Sequence, residues 1–254
     1  RRPASWRAPM RSILVTGASR GIGRAIAQRL AAHGAAVVVS ASPRSVDGLR
    51  ETVALIEKAG GRAAWVEADL GNDAERATLV ARAAGHFGAI DILVNNAFDP
   101  SVVQSPVIEL SVEQLQRNFD TGPIAFLRTM QAAYPHLKAS GEGRIINFAS
   151  LAGVAGLPPY APYNMAKEAA RALTRVAARE WGVDKITVNN VLPVADTWGA
   201  KANNIPAPDT PLGRFGSPEE DIAPVVLFLA TKDAQFITGY SLTPDGGAII
   251  DAAR

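Results

Sequence analysis

Short, unbroken apolar runs alternate along this chain with stretches of helical periodicity, and that alternation constrains the fold more than any other feature. The runs are Ser12–Thr16, Ala36–Ser40, Arg62–Ala68, Asp91–Asn95, Arg144–Phe148 and Ile186–Leu192, with a last short one at Tyr240–Thr243. Helical stretches fall at Arg24–His33, Val46–Ala59, Asp73–Phe87, Ser111–Tyr134, Tyr160–Trp181 and Ser217–Thr231. Continuous β-branched runs, rather than strict apolar–polar alternation, belong to strands covered on both faces. Strands that alternate with helices on this spacing predict an α/β fold: a doubly wound parallel sheet of about seven strands, with right-handed crossovers and helices on both faces. Ser111 is placed to cap its helix with Glu113 and Gln114 in the first turn, and Ser217 to cap another with Pro218 following. No internal repeat or linker divides the chain, so residues 11–254 read as one domain behind a flexible extension at 1–10.

Composition narrows the chemistry. With 48% apolar residues in 254 the chain can fill a large core. The absence of Cys removes disulfides, thiolate nucleophiles and cysteine-ligated metals, and three scattered His (His33, His86, His136) do not suggest a metal site. No apolar run approaches the roughly 20 residues of a membrane helix, and a cytoplasmic protein is expected. The formal charge of +2 is an average over unlike parts. Arg1, Arg2, Arg7 and Arg11 stand without an acid in the first eleven residues, which leaves 22 basic and 24 acidic groups for the rest. The body is close to neutral, and nucleic acid is not an expected partner.

Between the first apolar run and the first helix lies Thr16-Gly17-Ala18-Ser19-Arg20-Gly21-Ile22-Gly23. Glycines at a strand-to-helix turn permit a tight bend and close backbone approach to a pyrophosphate, which then meets the free N–H groups and positive dipole end of the helix. The spacing is GxxxGxG rather than the generic GxGxxG. An NAD site usually has an acid about 20 residues further on, for the ribose 2′-hydroxyl. Here the second run ends in Ser40-Ala41-Ser42, while Arg20 and Arg44 offer two cations suited to a 2′-phosphate. NADP(H) is therefore favoured over NAD(H), with Ser42 beside Arg44.

Tyr163 and Lys167 stand four residues apart, on one face of a helix. A neighbouring ammonium favours the phenolate and lowers the phenol pKa from about 10. A phenol tuned in that way can give or take the proton of an alcohol/carbonyl pair. Ser150, just after a predicted strand, is placed to hold the same oxygen. Tyr160 is a rival phenol, but Asn164 stands where its lysine would be, so it is assigned to the pocket wall.

From Ser12 to Gly247 the chain resembles the short-chain dehydrogenase/reductases, single-domain Rossmann-type proteins. The resemblance rests on TGASRGIG at 16–23, Ala68-Asp69-Leu70, Asn95-Asn96-Ala97, Asn118, Ser150, Tyr163 and Lys167, with Gly213–Glu219, Thr238-Gly239 and Asp245-Gly246-Gly247 following in order. It implies catalysis by Tyr163 as general acid/base and by Lys167, which also holds the nicotinamide ribose. Ser150 would polarise the carbonyl and Asn118 would anchor a relay water. It further implies that Gly17, Ser19, Gly21, Ile22 and Gly23 bind the cofactor phosphates, that Asp69 and Leu70 flank the adenine, and that Asn96 and Ala97 line the nucleotide path. Pro193 and Thr197 would face the nicotinamide. The implied reaction interconverts a small-molecule carbonyl and an alcohol, in a homo-oligomer (tetramer or dimer) built through the two long helices.

Two positions depart from that pattern. Phe98 stands where the family has glycine after Asn-Asn-Ala, and it either enters the pocket or shifts the loop. After Pro193 the run Val194-Ala195-Asp196-Thr197 brings the threonine one residue early. Phe98, Tyr160 and Trp198 are assigned to the substrate pocket, with 196–211 as a short variable loop. Two alternatives stay open: a nucleotide-bound regulatory protein without redox turnover, in which Phe98 blocks the nicotinamide, and a non-redox enzyme on the same scaffold.

Overall fold

The computed structural model describes residues 10–99, 101, 104–196 and 210–250. Seven strands form one parallel sheet: β1 (Ser12–Thr16), β2 (Ala36–Ala41), β3 (Arg62–Glu67), β4 (Ile92–Asn95), β5 (Arg144–Phe148), β6 (Thr187–Val191) and β7 (Ser241–Leu242). Their spatial order is β3-β2-β1-β4-β5-β6-β7. The connections reverse between β1 and β4, and beyond the carboxyl ends of strands at such a switch an open α/β sheet forms its crevice. The seven-stranded parallel sheet expected from the apolar runs is the one observed.

The unbroken apolar runs are explained by burial on both faces. Ile13 and Val15 point to the side covered by α1 (Gly21–Ala32) and α2 (Val46–Lys58), where Ile26, Leu30 and Ile56 pack on them. Leu14 points to the other side, toward α3 (Asp73–Phe87), where it joins Leu79 and Ala83. Register keeps the layers aligned, with Val15 opposite Val39 on one side and Val94 on the other.

The stretch expected as one helix from Ser111 to Tyr134 is two. α4 (Val112–Phe119) starts at a Ser111–Gln114 capping box and gives way to a wide π turn at Asp120–Ile124, after which α5 (Ala125–Ser140) continues. Pro123 has no N–H to bond back, and Gly122 leaves helical geometry at φ −105°, ψ −107°. Gln114 and Asn118 thus belong to a short helix with its own direction. The Ser217–Thr231 helix starts as expected at a Ser217 cap with Pro218 following; its first turn, Pro218–Ile222, is a wide π turn, and α8 runs on from Ala223 to Ala230. A short helix, α6 (Leu151–Ala155), capped by the Ser150 side chain, precedes the long α7 (Ala161–Trp181).

No helix among the described residues is long and apolar enough to cross a membrane. The expected extension at 1–10 lies, apart from Met10, outside the described residues.

Candidate active site

The glycine turn is held from both sides of the switch point. Thr16 Oγ1 accepts the backbone N–H groups of Asn96 (3.0 Å) and Ala97 (3.1 Å), while Asn96 Nδ2 donates to the carbonyls of Thr16 (3.0 Å) and Gly17 (3.1 Å). This stitching lets the chain after β4 lie directly on the turn after β1. A Cβ on Gly17, whose φ is +67°, would stand 2.7 Å from the Ala97 Cα, and one on Gly23 would strike the Gly17 carbonyl. Gly21 has open space on its Cβ side at φ +54°, at the first turn of α1. The backbone there forms a cradle ahead of a twelve-residue helix whose leading N–H groups have no intrahelical partner. That cradle fits a dinucleotide pyrophosphate.

From it a cleft of about 1660 Å³ runs along the carboxyl ends of the strands. At one end lie Ser19, Arg20, Ile22, Ser42 and Arg44, with Asp69 and Leu70 on the wall. Asn96, Ala97 and Phe98 line its middle, and Ser150, Tyr160, Tyr163, Lys167 and Pro193 its far end. Gly17 borders the same cleft, whereas Gly21, Gly23 and Asn118 do not line it. Thr197 and Trp198 lie outside the described residues. Asp196, just before them, donates its N–H to the Gly216 carbonyl at 2.9 Å, and Gly216 returns a bond to Val194 at 3.0 Å.

Arg20 and Arg44 are exposed at the same end of the cleft as Ser19 and Ser42. The first acid after β2 in the sequence, Asp47, lies in the first turn of α2 and pairs with Arg50 at 3.8 Å. The wall formed by Asp69 and Leu70 has a support that the sequence did not reveal. Arg76, buried in α3, donates one guanidinium nitrogen to the carbonyls of Leu70 (2.7 Å) and Asp120 (2.9 Å), and another to Asp73 at 3.3 Å. It ties the Asp69–Leu70 corner to the break after α4. An arginine on an otherwise ordinary amphipathic helix gives no sequence signal for this.

At the far end, the Ser150 hydroxyl near Tyr163 pulls the phenol pKa down; burial pushes it up more strongly, and Tyr160 adds to the rise. The expected pull from Lys167 does not act on Tyr163 here, because a lysine with so low a pKa is uncharged where the phenol ionises. The Lys167 ammonium donates to the Phe148 carbonyl at 2.8 Å and sits 5.6 Å from the centre of the Tyr163 ring. Burial lowers the lysine's own pKa to about 7. Asn118 is buried in the last turn of α4 and donates to the Gln114 carbonyl at 3.0 Å. Phe98 enters the pocket: its ring meets Tyr163 edge-on at 4.9 Å and 80°. Tyr160 stands 6.4 Å from Tyr163 and accepts a hydrogen bond from Gln104 Nε2 at 2.9 Å.

Residues 17–248 match a family model described as enoyl-(acyl carrier protein) reductase, adh_short_C2. The cis-4-hydroxycyclohexanecarboxylate dehydrogenase of Sinomonas cyclohexanicum is 36% identical over 243 residues, covering 93% of this chain and 96% of that protein. The chain belongs to the short-chain dehydrogenase/reductase family. The L-2,3-butanediol dehydrogenase of Corynebacterium glutamicum is 33% identical over 254 residues, with 93% and 97% covered. A solved short-chain type dehydrogenase/reductase from Mycobacterium ulcerans superimposes with a TM-score of 0.86 at 27% identity, over 94% of this chain and 89% of the other. This member of the family is an NAD(P)-dependent oxidoreductase of the alcohol/carbonyl class.

Proposed function

We propose that this short-chain dehydrogenase/reductase interconverts a ketone or aldehyde with an alcohol, uses NADP(H) in preference to NAD(H), and relies on Tyr163 as its general acid/base. The observation that carries the reading is the placement of Ser150, Tyr163 and Lys167 at one end of a cleft whose other end is the glycine cradle. When bound, the nicotinamide supplies the hydride; the chain's residues orient the carbonyl and handle one proton. Ser150, which lines the same end of the cleft as Tyr163, holds the carbonyl oxygen beside the phenol. Tyr163 gives its proton to that oxygen in reduction and takes it back in oxidation. Lys167 holds the nicotinamide ribose and, once charged, favours the phenolate. Asn118 would anchor a water that returns the proton.

Ser19, Arg20, Ile22, Ser42 and Arg44 are the residues that would hold the phosphate-bearing half of the nucleotide. Two exposed guanidinium groups at that end, with Ser40-Ala41-Ser42 in place of an acid at the end of β2, support a 2′-phosphate. Exposed Leu127 on α5 with Met165 and Val176 on α7 support self-association through those helices. The test is turnover of NADPH against a panel of ketones, aldehydes and alcohols. Tyr163→Phe is expected to lower kcat by about 10²–10⁴-fold with nucleotide affinity retained. The pair Arg20→Ala and Arg44→Ala should weaken NADPH far more than NADH. Tight NADPH binding without turnover of any substrate would refute the enzymatic reading, and equal losses for both nucleotides would refute the 2′-phosphate site.

A further inference from the structure

Lys167 is the residue on which the proposed nicotinamide contact depends, yet its side chain is only 4% exposed. Three aromatic rings surround the ammonium. Phe98 is nearest, with its centre 4.8 Å from Nζ, then Tyr163 at 5.6 Å and Phe126 at 5.7 Å. Their capacity to move differs. Phe126 is fully buried in the core layer beside Met130 and Ala133. Tyr163 is anchored in the first turn of the long helix α7. Phe98 is half-buried, belongs to no helix or strand, and lines the cleft itself.

The ammonium has three N–H donors. One goes to the Phe148 carbonyl, and the face of the Phe98 ring lies against the group at cation–π distance. Together with the edge-on contact to Tyr163, the ring covers the proton-transfer residue and its lysine at once. A glycine at position 98 would leave Lys167 open to the cleft on that side.

We propose that Phe98 is a displaceable aromatic cover on the Tyr163–Lys167 pair, one that the nicotinamide half of the nucleotide has to move aside before its ribose hydroxyls reach Lys167. The cover rests on the reading of Lys167 as the ribose contact. Its consequence is a competition in which ring and ribose claim the same ammonium, so part of the binding free energy of the nicotinamide half goes into moving Phe98. The adenosine half, held at the other end of the cleft, is unaffected.

Titration of NADPH and of 2′,5′-ADP, which lacks the nicotinamide half, into wild type, Phe98→Gly and Phe98→Leu tests this without turnover. Thermal melts establish that each variant is folded. Removing the ring should tighten NADPH roughly three- to tenfold, the worth of one partly desolvated cation–π contact. The affinity for 2′,5′-ADP should stay unchanged. Phe98→Leu, which keeps bulk but loses the π face, should fall between glycine and wild type. If NADPH binds wild type more tightly than 2′,5′-ADP does but Phe98→Gly leaves that difference unaltered or reduces it, the cover is refuted while the Lys167 reading stands. If NADPH and 2′,5′-ADP bind wild type and Lys167→Met equally well, the ribose contact fails and the cover falls with it.

Discussion

Strand β5 has a buried cation at each end, and the two are treated differently. Arg144 begins the strand and is 2% exposed; Lys167, 4% exposed, reaches from α7 to the carbonyl of Phe148, which ends it. At the amino edge Arg144 donates to the carbonyls of Glu142 and Gly143, both at 3.0 Å. The Glu142 carboxylate lies alongside, paired with Arg11 and with Lys232 at 2.9 Å. Burial, with Arg11 adding to it, lowers the Arg144 pKa only to about 10, because Glu142 opposes the drop. At the carboxyl edge no carboxylate among the described residues pairs with Lys167, and burial brings it to about 7. One edge of the sheet sets a carboxylate near its cation; the other keeps a cation for which the proposed nucleotide would supply a further partner. Burying an ionisable group beside a cleft without compensating it is a mark of function rather than of stability.

Neutralising the carboxyl-edge cation should have the larger effect. Lys167→Met is expected to lower turnover by two orders of magnitude or more, on the scale of lost acid–base assistance. The same change should stabilise the nucleotide-free protein by roughly 1–4 kcal/mol near neutral pH, as replacing a buried charge by an apolar group often does. The sign with pH follows from the depressed lysine. Between about 7 and the ordinary lysine pKa the unfolded chain binds a proton that the folded chain does not, so wild-type stability rises with pH. The advantage of Lys167→Met should therefore be full below pH 7 and shrink as pH rises toward 10. Denaturant melts at several pH values would show this, and an advantage that grows with pH would break the contrast.

Arg144→Met should go the other way and by less. It leaves the Glu142 and Gly143 carbonyls short of a donor, and should cost about 1–3 kcal/mol. Activity per folded molecule should be unchanged. A stabilised Arg144→Met protein would mean that the amino edge is no better compensated than the site.

Much of this was legible before any coordinates. The seven apolar runs became the seven strands because burial on both faces leaves a continuous pattern that does not depend on details of packing. The breaks in helices were less legible. Gly122 and Pro123 stand inside a periodic stretch, where a helix can tolerate a kink as well as end, and only packing determines which. The glycine turn and the Tyr163–Lys167 spacing were readable because backbone geometry and helix pitch set both. The role of Arg76 was not, and for Phe98 only its place in the pocket was readable, not its contacts with Tyr163 and Lys167. Arg76 acts through carbonyls from two loops, and Phe98 through two residues more than sixty positions away; such contacts leave no local pattern.

The central contrast is most directly measured by the protonation of Lys167 itself. The Nζ resonance of Lys167, assigned by its loss in Lys167→Met, would be followed by NMR as a function of pH in free and NADPH-bound protein. The account predicts a midpoint near 7 in the free protein and a clear upward move when nucleotide hydroxyls give the ammonium new acceptors. A lysine that titrates at the ordinary value near 10.4 in the free protein, or one that does not respond to NADPH, would contradict it.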